Sequence, residues 1–262
     1  MFEIQYFVLG LIQGITEFLP VSSSAHLILI SQLTNWQDQG IFSDIAVHVG
    51  TLIAVILYLL KDLRIIVIDF FNFRKSNSKN FAIKIFIATL PALIIGFIVY
   101  EYFIIYFRNL TVIAWASIIF SIILYLADQR KNLNKKWEDL NYIEVFFIGL
   151  WQSLAFIPGA SRAGVTITGA RLLGVKSKSS AIFSMLLSIP IILASLCLSI
   201  IDLFSKQSIE INLTQPIFAA SIACITALIS IHTMMKILQF TNFNIFIVYR
   251  IILGILLLIF YA

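Results

Sequence analysis

Charge is scarce in this chain. Asp, Glu, Lys and Arg make up 12% of its 262 residues, against about 25% in a soluble globular domain, and that shortfall excludes a water-soluble fold. Cysteine is nearly missing as well. Cys197 and Cys224 both lie inside apolar runs, so there is no disulfide framework or cysteine-rich metal site to read, and no redox compartment follows. No basic stretch precedes the first apolar run at Met1–Ile4, and a cleavable signal peptide is not expected. Lys and Arg outnumber Asp and Glu by 18 to 13. The excess falls in short loops between apolar runs, which is a topology signal and not a nucleic-acid footprint, so nucleic acid is excluded as a partner.

What is present is hydrophobic sequence, 60% of the chain. Crossing the hydrocarbon core as a helix takes about 20 apolar residues. Six runs qualify: Asp44–Leu60, Phe81–Tyr100, Leu110–Ala127, Ala181–Leu203, Pro216–Met235 and Asn244–Tyr261. Phe2–Ser31 and Tyr142–Leu173 are also apolar but are broken by Pro20 and Pro158 with polar neighbours. Irregular backbone at membrane depth must be buried in protein or line a watery cavity, so each broken region reads as a re-entrant helical hairpin. The expected fold is an all-α integral membrane protein of six transmembrane helices and two hairpins. A bilayer is therefore its first partner, and a homodimer is compatible with the sequence.

Orientation follows from the basic residues. Segments 61–80, 128–141 and 174–180 hold five, four and two Lys/Arg, while 32–43, 101–109 and 204–215 hold none, one and one. The positive-inside rule makes the first set cytoplasmic and puts both termini outside. Gly10-Leu11-Ile12-Gln13 is echoed by Gly149-Leu150-Trp151-Gln152, and Pro20-Val21-Ser22-Ser23 by Pro158-Gly159-Ala160-Ser161. The echo divides a single membrane domain into halves 1–127 and 142–262, joined by a cytoplasmic loop 128–141. An odd number of spans per half inverts the second copy, so the hairpins meet at the midplane from opposite faces.

The two breaks carry the chemistry. Ionisable side chains at membrane depth cost roughly 2.5–3.5 kcal/mol on insertion scales and mark function by default. Gln13 and Glu17 share a helix face, Pro20 ends that half-helix, and Ser22, Ser23 and Ser24 suit the start of the next. His26 follows one turn on, within reach of the Ser22 and Ser23 hydroxyls. In the second break Ser161 is read as the match of Ser23, Arg162 supplies a forked cation for phosphate, and Thr166 lies on the same face. Two helix N-termini bind anions, and a divalent cation, Mg2+ or Ca2+, would fit with Glu17 as an oxygen ligand and phosphates as the others. Plainer roles exist for each: interhelical hydrogen bonding for Glu17 and His26, close packing for the serines, snorkelling for Arg162. His48, His232 and Arg250 read as structural or supporting, with Arg250 the first exception to expect.

At these motifs the chain resembles the undecaprenyl-diphosphate phosphatases of the BacA/UppP family. Gln13–Glu17 running into Pro20–His26 matches the family's (E/Q)xxxE and Pro-x-Ser-Ser-(Ser/Thr)-x-His elements, and Pro158–Thr166 matches its PGxSRSxxT element. His48–Leu52 and Val248–Arg250 also look like family segments. The resemblance implies hydrolysis of undecaprenyl diphosphate to the monophosphate and inorganic phosphate in the bacterial plasma membrane, recycling the cell-wall lipid carrier. It also implies a metal requirement, an extracytoplasmic site and bacitracin resistance. By position, Glu17 would serve the metal or proton transfer, Ser23 and His26 the nucleophile pair, and Arg162 the phosphate, assisted by Ser161 and Thr166. Which of Ser23 and His26 attacks is left open. Gln13 in place of an acid weakens a two-carboxylate metal site, and Ala163 stands where serine is usual. The rival is a lipid-phosphate or phosphate carrier built on the same broken helices.

Overall fold

A computed structural model of the chain describes residues 3–34, 36, 40–71, 77–102, 109–130, 133–205 and 213–261. Among them the fold is all-helical. Helix α1 (Ile4–Thr16) and α2 (Ser23–Thr34) occupy the first broken region, and α7 (Tyr142–Ser153) and α8 (Arg162–Leu172) the second. Between and after them run α3 (Gly40–Tyr58), α4 (Leu60–Phe71), α5 (Asn77–Tyr102), α6 (Leu110–Asp128), α9 (Ser177–Ser205), α10 (Thr214–Ile237) and α11 (Asn244–Tyr261).

Five of these, α5, α6, α9, α10 and α11, carry windows long and apolar enough to cross a bilayer. The sixth expected span, Asp44–Leu60, is a shorter apolar helix over Phe42–Tyr58. It does not end there. Leu59 N bonds to Val55 O and Leu63 N to Leu59 O, both at 2.9 Å, so the helical ladder continues into α4. Segment 61–80, read as a loop, is thus helical at its start. Leu59 and Ile66 are buried there, while Lys61, Asp62 and Arg64 are exposed beside Leu60, Ile65 and Val67, so three charges near its start set α4 apart from the apolar run before it.

Lipid gives apolar helices no reason to leave it, so association rests on close packing of small residues. Helix α1 packs on α10, α3 also on α10, α7 on α5, and α6 on α11. Gly10 lies against the Ala219 carbonyl, and a Cβ on Gly149 would stand 2.5 Å from the Ala88 carbonyl oxygen. Two further bonds tie α1 to α10: Ser230 Oγ donates to the Ile15 carbonyl at 2.7 Å, and Thr226 Oγ1 lies 3.4 Å from that of Gly10.

Segment 128–141 is more than a linker. Trp137 is 4% exposed, wedged between the rings of Phe81 and Phe183 at 4.9 and 5.5 Å. Lys84 donates to the Glu138 carbonyl at 2.6 Å, and Lys135 pairs with Val175 in a single β-bridge. Asp128 and Arg171 form a buried ion pair at 2.7 Å, and Asp128 also accepts from Phe243 N at 3.0 Å. That pair fixes the C-terminal end of α8 to α6 and to the turn before α11.

Candidate active site

The two breaks have the same backbone design. Glu17 N still bonds to Gln13 O at 3.0 Å; then Val21 N turns back to Leu19 O, and the chain reverses at Ser22 with φ 74°. In the second break a 3-10 turn over Leu154–Phe156 leads to Gly159 at φ 91° and Ser161 at φ 69°. Ser22 and Ser161 are the two non-glycine residues with positive φ among those described. This conformation costs an L-residue on the order of 1–3 kcal/mol and persists where the surroundings enforce it. Ser161 Oγ caps α8 by accepting from Gly164 N at 3.1 Å, and Val165 N bonds to the Ser161 carbonyl. His26 N bonds to the Ser22 carbonyl in the same way. Ser161 therefore corresponds to Ser22, and Arg162 to Ser23, which corrects the sequence pairing of Ser161 with Ser23. The prolines misled it: Pro158 precedes the turn glycine, whereas Pro20 lies two residues before its strained serine.

Glu17 joins the two turns. Its Oε1 accepts from Arg162 Nη2 at 2.6 Å, and its Oε2 accepts from Ser23 Oγ at 2.7 Å and Gln13 Nε2 at 3.0 Å. The Arg162 and Glu17 side chains are 13% and 9% exposed, so the ion pair is little screened and its bonds are of the strong, charge-assisted kind. Arg162 also donates to the Ser184 carbonyl at 3.3 Å and lies over the Phe18 ring at 5.8 Å. Thr166 Oγ1 stands 2.9 Å from the Arg162 carbonyl and 2.7 Å from Ser184 Oγ, bracing the first turn of α8 on α9.

Above this cluster opens a cavity of about 210 Å³, smaller than the roughly 300–1,000 Å³ of drug-sized sites and suited to a phosphate headgroup. Glu17, Ser22, Ser23, Ser24, Ser161 and Arg162 line it. His48 and Gln152 line it too, which sequence reasoning missed for His48 as a site residue and for Gln152 altogether. The repeat of Gln13 by Gln152 was the available signal for the second.

His26 stands apart. Its Nδ1 meets the Ser22 carbonyl at 2.7 Å, its Nε2 meets the Tyr249 hydroxyl, and the two rings stack at 5.7 Å. The expected hydroxyl–imidazole pair between Ser23 and His26 is not formed. The Ser22 carbonyl, four residues back on the same helix, takes the ring, and Ser23 turns to Glu17.

Arg250 supports the second turn from behind. It is fully buried, and its Nη2 donates to the Gly159 and Ala160 carbonyls at 2.8 and 2.9 Å. Among the described residues its Nε and Nη1 have no hydrogen-bond partner, and a Cβ on Gly164 would stand 2.8 Å from Nη1. A lone arginine inside the apolar α11 was the sequence signal for it.

Comparison with known proteins adds to this geometry. The family model described as "Bacitracin resistance protein BacA" matches residues 6–256. The chain is 40% identical over 260 residues to an undecaprenyl-diphosphatase of Ruegeria sp. (strain TM1040), covering 97% of each chain. It is similar in the same way to undecaprenyl-diphosphatases of Vesicomyosocius okutanii (38% over 259 residues, 97% of each) and Jannaschia sp. (39% over 259 residues, 97% of this chain and 96% of the relative).

Proposed function

The chain belongs to the bacitracin resistance protein BacA family, and from that membership we infer that it hydrolyses undecaprenyl diphosphate to undecaprenyl phosphate and inorganic phosphate. It is a multi-pass membrane hydrolase that returns the lipid carrier to cell-wall synthesis, and its abundance opposes bacitracin, which captures the same diphosphate. The observation that carries the reading is the Glu17 carboxylate held by a hydroxyl and a guanidinium. A carrier would bind phosphate with the same helix ends, but a hydroxyl bonded to a buried carboxylate serves bond-making.

The reaction we propose uses Ser23 as nucleophile. Arg162 and the free N–H groups opening α2 and α8 take the charge of the diphosphate. Ser23 Oγ attacks the terminal phosphorus, its proton passes over 2.7 Å to Glu17, and the phosphoanhydride bond breaks, releasing undecaprenyl phosphate. Water then attacks the phosphoserine. Glu17 returns its proton to Ser23 Oγ, and dihydrogen phosphate leaves. Gln13 and Ser161 hold the carboxylate and the α8 end in place through their bonds to Glu17 and Gly164. Ser22 and Ser24 offer hydroxyls to the same headgroup, and His26 orients the first turn of α2 through the Ser22 carbonyl.

A divalent cation fits in one mode only. Among the described residues no three His, Cys, Asp or Glu side chains converge, and both Glu17 oxygens already accept hydrogen bonds, so an all-protein cage is excluded there. One carboxylate with substrate phosphates and waters is the usual setting of Mg2+, and Glu17 would hold the ion in that way. Its chemistry would be charge neutralisation on the diphosphate.

The architecture we propose is an inverted repeat of halves 1–127 and 142–262, with the site open to the extracytoplasmic side and both termini there. Three features support the repeat: the constant separation of 139 residues in Gly10/Gly149, Gln13/Gln152 and Ser22/Ser161, the matching turns, and the reciprocal packing of α1 on α10 and α7 on α5. The Lys/Arg asymmetry of the connecting segments supports the sidedness. The test of function is phosphate release from purified protein in detergent given a prenyl diphosphate. Release is expected, and its absence together with phosphate or lipid-phosphate binding would favour the carrier.

A further inference from the structure

The cavity above Glu17 has two kinds of wall. Its polar side comes from α1, α2, α3, α7 and α8, and α9 adds the single hydroxyl of Ser195. Its apolar side is Ala92 of α5, Ala155 and Phe156 of the turn before α8, and Ile191 and Ile192 of α9. A phosphate headgroup makes no use of that second wall. Ala92 and Ile192 are 2% and 4% exposed, but Phe156 is 36% exposed and stands at the rim. Its ring is seated on Gly96 of α5, where a methyl group would overlap it. Both wall helices also carry a proline at this level. Pro91 and Pro190 directly precede Ala92 and Ile191, and each removes an N–H from its ladder, freeing the carbonyls of Ile87 and Leu186. From the wall the apolar surface continues outward. Ile95 lies three residues beyond Ala92 on α5, and Leu198 seven beyond Ile191 on α9; such spacings share a helix face, and both side chains are exposed.

We propose that this wall receives the first isoprene units of the substrate, with the tail leaving between α5 and α9, and that Phe156, backed by Gly96, determines the preference for a prenyl tail. The inference rests on the phosphatase reading. With the terminal phosphate fixed at Ser23 and Arg162, the lipid oxygen of the diphosphate points away from them. The apolar wall is the cavity surface left to meet the carbon chain. Phe156 touches the tail and not the reacting atoms, so it is a specificity residue.

The experiment compares kcat/KM for farnesyl diphosphate with that for methyl diphosphate, which has the same phosphoanhydride and no tail, in wild type, Phe156→Ala, Phe156→Leu and Gly96→Leu. Wild type should favour the farnesyl substrate. In Phe156→Ala the ratio should fall roughly tenfold or more, the scale of removing apolar contact from a specificity pocket. Phe156→Leu should restore most of it, and Gly96→Leu, which pushes the ring off its seat, should lower it again. An unchanged ratio in an active Phe156→Ala protein overturns the proposal. So does an equal loss for both substrates, the result if the wall merely seats bulk lipid or supports the fold. Wild type that cleaves neither compound overturns the phosphatase reading, and this inference with it.

Discussion

Ser23 and Arg162 stand at equivalent first positions of α2 and α8, each directly after a serine of positive φ, and both reach the same carboxylate, that of Glu17. Two turns that share a positive-φ serine at the helix start thus deliver two different side chains, a hydroxyl and a cation, to one acid. The equivalence is one of backbone, and the chemistry arises because the side chains differ.

Glu17→Gln should keep a hydrogen bond from Arg162 but lose the proton acceptor for Ser23. Turnover should fall about 10²–10⁴-fold, the range for a missing general base. Removing one partner of a desolvated pair also leaves the other charge uncompensated. Glu17→Gln and Arg162→Met should therefore each lower the thermal unfolding midpoint in detergent, and the double variant should lose less than the two together. Additive losses would mean that the pair is not coupled.

Ser23→Ala and His26→Ala separate the proposed nucleophile from its neighbour. Ser23→Ala should remove at least about 10² in kcat, on the same general-base scale, and should abolish labelling of the protein by phosphate from a rapidly quenched reaction. His26→Ala should cost less and resemble Tyr249→Phe, because His26 spends its nitrogens on the Ser22 carbonyl and Tyr249. If His26→Ala is the more damaging in kcat and Ser23→Ala still turns over, the nucleophile assignment is wrong.

Arg250→Met should release the second turn. The two bonds to the Gly159 and Ala160 carbonyls are of the charged type, worth about 1.5–3 kcal/mol each when buried. The variant should unfold earlier and lose kcat without a matching rise in KM, since Arg250 does not line the cavity. Arg250→Lys should not rescue it, because a single ammonium cannot reproduce the planar fork. Full activity in Arg250→Met would show that the turn holds without it.

Metal dependence should be tied to substrate. Chelator should stop phosphate release. Direct titration of Mg2+ into substrate-free protein should give weak binding, tightened by a non-hydrolysable diphosphate, because the protein alone offers one carboxylate already occupied by Arg162, Ser23 and Gln13. Tight binding without diphosphate would require a ligand set beyond Glu17.

Much of this site is legible in the chain. Polar residues beside prolines in apolar sequence pointed to Glu17, Ser22–Ser24, Ser161 and Arg162, all of which line one cavity. Hydropathy gave the long helices because length and apolarity are local properties. What pairs with what is not local. Gly10 meets Ala219 and Arg250 meets Gly159 across long stretches of sequence, which no periodicity encodes. Ser23 chose Glu17 over His26 because a backbone carbonyl competed for the imidazole, and backbone competition leaves no mark in residue types. His48 lies in a plain apolar helix, and its place in the cavity follows from how α3 is packed against its neighbours.

The packing of α1 against α10 has a consequence for biosynthesis. Glu17 follows a helix whose partner surface, Ala219 to Ser230, is made some 200 residues later, roughly 10–40 s at ordinary translation speeds. Through that interval α1 lacks its seat, although Arg162 has already been synthesised. A nascent chain halted before residue 214 carries Glu17, Ser23 and Arg162 without the helix on which α1 packs. The seat of the Glu17 turn is complete only once α10 has been made.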